Sequence, residues 1–105
     1  MRGGAGADEI RGGKQADRIY GGGGDDRITT GPAVDRGTNR AWGGGGNDRI
    51  DGGSATDRLM GGNGRDTLIG DKRHDTLIGG RGRDRVDGGK GGDRCAAEVE
   101  RSCER

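Results

Sequence analysis

Large apolar residues recur along the chain at a spacing of nine: Ile10, Ile19 and Ile28, then Ile50, Leu59, Leu68, Leu77 and Val86, with Cys95 on the last beat. Each stands between two mostly polar neighbours, and each follows a run of six residues rich in glycine. One apolar residue between two outward ones is the pattern of a three-residue strand with a single inward side chain. Six turn residues and three strand residues make one unit, and two units close a coil of 18 residues. Stacked coils place the strands in two parallel sheets, back to back. The pattern therefore predicts an all-β solenoid of about five 18-residue coils with two short-stranded sheets, in a single domain over 1–105. The repeats occupy 3–96, and the residual tail 97–105 is expected to cap the last coil.

A second beat runs beside the first. An aspartate precedes each inward residue by two: Asp8, Asp17 and Asp26, then Asp48, Asp57, Asp66, Asp75, Asp84 and Asp93. The full unit is Gly-Gly-x-Gly-x-Asp-x-U-x, where U is the large aliphatic, and it is complete in Gly21 to Thr29. The odd-numbered turns, Gly3–Asp8, Gly21–Asp26, Gly43–Asp48, Gly61–Asp66 and Gly79–Asp84, all keep their glycines. The even-numbered turns do not. Gln15, Ala55 and Arg73 replace the fourth-position glycine, Lys14, Lys72 and Lys90 bring cations, and only Gly88–Asp93 is intact. In an 18-residue coil, odd and even turns fall on opposite edges.

These motifs resemble the RTX, or hemolysin-type, calcium-binding nonapeptide repeat family, and the resemblance covers 3–96. It implies a right-handed parallel β-roll. It also implies calcium held between stacked turns by the sixth-position aspartates and by backbone carbonyls. On the odd edge, Asp8, Asp26, Asp48, Asp66 and Asp84 with the carbonyls of their turns define four intervals, hence about four Ca²⁺ ions. Asp17, Asp57, Asp75 and Asp93 are the weaker candidates, because their turns have lost glycines. The even edge is either empty of metal, its aspartates neutralised by nearby lysine and arginine, or a weaker calcium binder.

One stretch, 30–42, breaks the period with 13 residues in place of nine. Two registers fit it. Either Asp35 is the sixth-position residue and 39–42 is an insertion, or 30–39 is a lengthened turn and Arg40-Ala41-Trp42 is the strand. The second is preferred, because Ala41 can fill an inward slot that Gly37 would leave hollow. It also aligns Tyr20, Trp42, Met60 and Ile78 in one outward row. Such a row is either a ladder that steadies neighbouring strands or a docking stripe for a parent-protein domain or a second roll.

Composition sharpens this picture. With 28 glycines, 35% charged residues, no Phe and one inward side chain per strand, the core is thin. Bound metal is the obvious further source of stability. Formal net charge is +1, and in-register aspartates match the arginines, which argues against a nucleic-acid partner. No run is apolar enough for a membrane span or a signal peptide. Only Met1 and Arg2 precede the first turn, which suggests a piece of a longer protein. Cys95 and Cys103 are the only cysteines: a tail folded back over the last coil, with Val99 covering it, allows a disulfide, and a helical tail leaves two thiols. Calcium at useful concentration points to an extracellular, secreted setting, where a disulfide is allowed. His74 is the sole histidine, and no nucleophile has a base at a telling spacing, so no enzyme activity is expected. The expected role is a calcium-driven folding and stabilising module; the alternative is a metal-independent solenoid for adhesion or surface binding.

Overall fold

The computed structural model describes residues 3–13, 18–31, 38–53, 56–71, 75–89, 94–96 and 99–101. Eleven strands follow one another: β1 (Glu9–Arg11), β2 (Arg18–Tyr20), β3 (Arg27–Thr29), β4 (Asn39–Gly44), β5 (Arg49–Asp51), β6 (Asp57–Asn63), β7 (Thr67–Ile69), β8 (Thr76–Arg81), β9 (Arg85–Asp87), β10 (Arg94–Ala96) and β11 (Val99–Arg101). They alternate between two sheets. One has the order β1-β3-β5-β7-β9-β11, the other β10-β8-β6-β4-β2. Every pairing is parallel and joins a strand to its counterpart one coil on. No helix occurs among the described residues. The fold is the all-β parallel solenoid that the nine-residue period predicts.

The central residue of each strand points inward. Ile19, Ile28, Ala41, Ile50, Leu59, Leu68, Leu77 and Val86 have no exposed surface, and Ile10 packs against them at the open first coil. The smallest molecular dimension is 13 Å. That leaves room for one layer of side chains between sheets about 10 Å apart. Residues on either side of the inward one face solvent or are half-buried, as in the exposed–buried–exposed pattern of β2.

In the irregular stretch, Arg18 pairs with Arg40, Ile19 with Ala41 and Tyr20 with Trp42. The strand is thus Arg40-Ala41-Trp42, with Ala41 in the inward slot, and Asn39 takes the sixth turn position opposite Asp57. The sheet containing β4, β6 and β8 holds longer strands than the three-residue unit predicts. Their pairing runs on into the following turn, through Gly44↔Gly62 and Gly62↔Gly80. The odd-edge glycines repeat one positive-φ conformation from coil to coil, and backbone pairing continues around the corner with them.

The tail differs from a cap lying across the last coil. Val99, Glu100 and Arg101 pair in parallel with Arg85, Val86 and Asp87, so β11 extends the first sheet by a sixth strand. Glu100, not Val99, falls at the register of the inward residues. The exposed backbone edge of β9 accepts any extended segment, whatever its side chains. Cys103 and the side chain of Cys95 lie outside the described residues, and so does the proposed disulfide.

Candidate metal centre

Each odd turn begins where a strand of the second sheet ends and closes where a strand of the first begins. The stacking is fixed by backbone bonds between coils: Gly23 N–H donates to the Gly4 carbonyl (3.1 Å), Gly45 N–H to the Gly22 carbonyl (3.0 Å), and Arg49 N–H to the Asp26 carbonyl (2.8 Å). Second-position glycines make this approach possible. Gly22, Gly44, Gly62 and Gly80 have φ between +86° and +92°, where a side chain is strained, and a Cβ on each would run into the carbonyl of the turn before.

The sixth-position aspartates are drawn into a continuous ladder. The backbone N–H of Asp8 donates to Asp26 Oδ1 (2.9 Å), Asp26 N–H to Asp48 Oδ1 (2.9 Å), Asp48 N–H to Asp66 Oδ1 (2.8 Å), and Asp66 N–H to Asp84 Oδ1 (2.8 Å). Asp26, Asp48, Asp66 and Asp84 are buried, and Asp8 at the open end is half-buried. The second oxygen has no such partner. Oδ2 of Asp8, Asp26, Asp48 and Asp66 is shielded from solvent and accepts no hydrogen bond. A buried, unsatisfied carboxylate oxygen is costly and calls for a cation or a proton.

That oxygen lies beside a backbone carbonyl of the stacked turn. The point a Cβ would occupy on Gly21 lies 2.6 Å from Asp26 Oδ2 and 2.6 Å from the Gly43 carbonyl oxygen. At Gly3 the corresponding distances to Asp8 Oδ2 and the Gly21 carbonyl oxygen are both 2.7 Å. A carboxylate oxygen of one turn and a carbonyl oxygen of the next coil thus lie close together, and both are of the hard type that Ca²⁺ takes as ligands. Among the described residues no three His, Cys, Asp or Glu side chains gather as a metal centre. The donors available are therefore one carboxylate per turn plus backbone carbonyls, a hard, all-oxygen set suited to calcium and unsuited to zinc or copper.

Charge on these groups is resisted by the fold. Burial pushes the Asp48 carboxyl from the usual 3.8 up to about 6, against the hydrogen bond from Asp26 and with repulsion from the Asp26 carboxylate. Burial likewise raises Asp66 to about 7, with repulsion from Asp48 and Asp84 on either side.

The even edge repeats much of this arrangement. Asp57 N–H donates to Asp75 Oδ1 (2.8 Å), and Asp57 Oδ2 is as isolated as its odd-edge counterparts. Burial raises Asp57 to about 7, opposed by hydrogen bonds from Thr30 and Asn39. Asp71 takes the second position of its turn at φ 75°, a left-handed conformation that aspartate tolerates better than most residues. Asp17 and Asp93 lie outside the described residues, as do Gln15, Ala55, Arg73 and His74. Three contributors were missed by the sequence pattern. Fifth-position Asp25 accepts from Asn47 N–H (2.7 Å), and Asn47 Oδ1 from Arg65 N–H (2.8 Å), which adds an outer polar ladder to the odd edge. Thr30, one residue after the ninth position of its repeat, stands where glycine begins the other turns; its offset in the frame was the available signal.

On the outer face of the second sheet, the rings of Tyr20 and Trp42 stack with centroids 4.7 Å apart and planes 6° from parallel. Strand register places Met60 and Ile78 next in the row. Tyr20 and Ile78 are exposed, Trp42 and Met60 half-buried.

The family model described as the RTX calcium-binding nonapeptide repeat (4 copies) matches 2–36, 34–68 and 60–95. The chain belongs to that family. Its turns are RTX turns, and calcium binding by a parallel β-roll is the family's property. No curated protein and no solved structure matches the chain. No helix among the described residues of this RTX chain is long and apolar enough to cross a membrane.

Proposed function

We propose that this RTX roll is a calcium-driven folding and stabilising module of a secreted protein, with about four ions along the odd edge. The observation that carries the reading is the row of buried Oδ2 atoms of Asp8, Asp26, Asp48 and Asp66, each close to a carbonyl oxygen of the next coil. Asp8/Asp26, Asp26/Asp48, Asp48/Asp66 and Asp66/Asp84 bracket the four intervals. Positive-φ glycines at the second and fourth turn positions support this edge: Gly24, Gly46, Gly64 and Gly82 repeat the conformation of the second-position row. Asp57 and Asp75 remain weaker candidates. Without metal, neighbouring carboxylates about 5 Å apart repel by roughly 3 kcal/mol at an effective dielectric near 20. A cation between them reverses the sign.

The role is binding and structure, not catalysis. The Tyr20–Ile78 stripe serves as a contact for a parent-protein domain or another roll, and nucleic acid has no part in it. A calcium titration of the metal-stripped protein tests the reading. Circular dichroism should pass from largely unfolded to β-structure, with about four ions bound at saturation by equilibrium dialysis. A complete β-spectrum in excess chelator, unchanged by calcium, refutes it and favours the metal-independent solenoid.

A further inference from the structure

The interval between the lengthened turn and the turn after it is built differently from every odd-edge interval. Thr30 occupies the first turn position. Its N–H donates to the Asp51 carbonyl (3.0 Å), as Gly52 N–H does to the Ile69 carbonyl one coil on, and Gly31 follows it at φ 107° as Gly53 follows Gly52. Thr30 is therefore in register with the first-position glycines, and its side chain grows from the cradle described above. It is fully buried. Its hydroxyl lies 2.5 Å from the Gly52 carbonyl oxygen and 2.9 Å from Asp57 Oδ1, within donating reach of both.

Those two acceptors are the equivalents of the Gly43 carbonyl and Asp48 Oδ1 in the odd-edge interval at the same level of the stack. The cation-facing carboxylate is altered too. The sixth residue is Asn39, buried and uncharged, and its backbone N–H donates to the Thr56 carbonyl (3.2 Å). At Gly21 or Gly3 a Cβ would crowd the turn's own aspartate. With asparagine in a lengthened turn, that position accepts threonine. Two substitutions in one interval thus act together: one removes the negative charge, the other fills the space with a hydroxyl that bonds to the next coil.

We propose that Thr30 is the residue that excludes calcium from this even-edge interval, its hydroxyl acting as a metal-free clasp between the second and third coils. The inference rests on the calcium reading for the odd edge. It predicts a different requirement on each side of the roll at this level, a divalent cation at Asp26/Asp48 and a protein hydroxyl at Thr30/Gly52.

Two sets of variants test it. Thr30→Gly combined with Asn39→Asp restores the glycine and the carboxylate, and should bind one more calcium ion than the parent by equilibrium dialysis. An unchanged ion count in a variant whose β-spectrum is intact overturns the exclusion. Thr30→Val keeps the shape and removes the hydroxyl. It should lower the melting temperature by about 5–10 °C with the parent's calcium count, while Thr30→Ser stays near the parent. If valine melts like the parent, the clasp is wrong. Should the parent bind no calcium at all, the reading of the odd edge fails, and the valine–serine comparison, run in whichever buffer the parent folds, still decides the clasp.

Discussion

Replacing Asp48 by asparagine should have opposite effects with and without calcium. Asparagine keeps the size and the Oδ1 acceptor that receives Asp26 N–H at 2.9 Å, and it leaves Asp48 N–H free to donate to Asp66 Oδ1. What changes is Oδ2, from a buried charged oxygen to a neutral amide group. In the metal-free roll that removes a burden. Raising the carboxyl from 3.8 to about 6 costs the folded state at most about 3 kcal/mol at pH 7, less whatever screening reaches the edge of the roll. In calcium the same change removes a ligand from the Asp26/Asp48 and Asp48/Asp66 intervals together. With free calcium at 100 times the dissociation constant, each bound ion stabilises the fold by about 2.7 kcal/mol, so two intervals account for about 5. The balance is a net loss of about 2 kcal/mol in calcium, or roughly 10 °C in melting temperature, against a gain of up to about 3 kcal/mol in chelator. Melting followed by circular dichroism across a calcium series reads both signs. The parent's melting temperature should climb faster with calcium than the variant's, and the two curves should cross. Asp57→Asn is the control, expected to change the calcium slope far less. Parallel curves for Asp48→Asn and the parent would show that Asp48 is not a ligand.

Two further outcomes follow from the geometry. Gly62→Ala should destabilise the calcium-loaded roll by about 1–3 kcal/mol or more, because Gly62 sits at φ 92° with the Gly44 carbonyl against its missing Cβ. Gly45→Ala, with nothing within 4 Å, should be tolerated, and equal losses would refute the stacking argument. In metal-stripped buffer the roll should be favoured by acid. The unfolded chain releases the Asp48, Asp57 and Asp66 protons near 3.8, the folded chain only near 6 to 7, so stability falls as pH climbs through that window. More β-structure at pH 5 than at pH 8 is the expected result, and the reverse order would contradict the assigned burial.

The repeat made most of this legible in advance. The nine-residue beat of Ile19, Ile28, Ile50 and Leu59 set both the inward positions and the strand centres, because each inward slot admits one large residue and the six turn residues before it carry no large apolar side chain. The volume argument at Ala41 chose the register that the strands adopt. Three features were hidden for physical reasons. β11 is held by backbone pairing, which leaves no side-chain pattern to read. The isolation of Oδ2 depends on the spacing of stacked turns, a property of the coil rather than of any one repeat. Thr30 carries no charge and matches no metal motif; its effect comes from occupying a position where the other turns have only hydrogen.

The running-on of β4, β6 and β8 into the odd turns gives the roll a spine. Gly44, Gly62 and Gly80 are stitched to one another by the sheet itself, whereas β3, β5 and β7 each stop after three residues. The molecule is therefore bound like a book, its leaves joined by continuous sheet pairing along the odd edge, with the even edge as the fore-edge. An extra residue on the spine would throw two neighbouring coils out of pairing at once. The lengthened turn 30–39 lies on the other edge, where no strand pairing of this kind runs on among the described residues. Under tension the coils should part from the fore-edge first and hinge on the spine. Metal held along that spine would then grip the side that opens last.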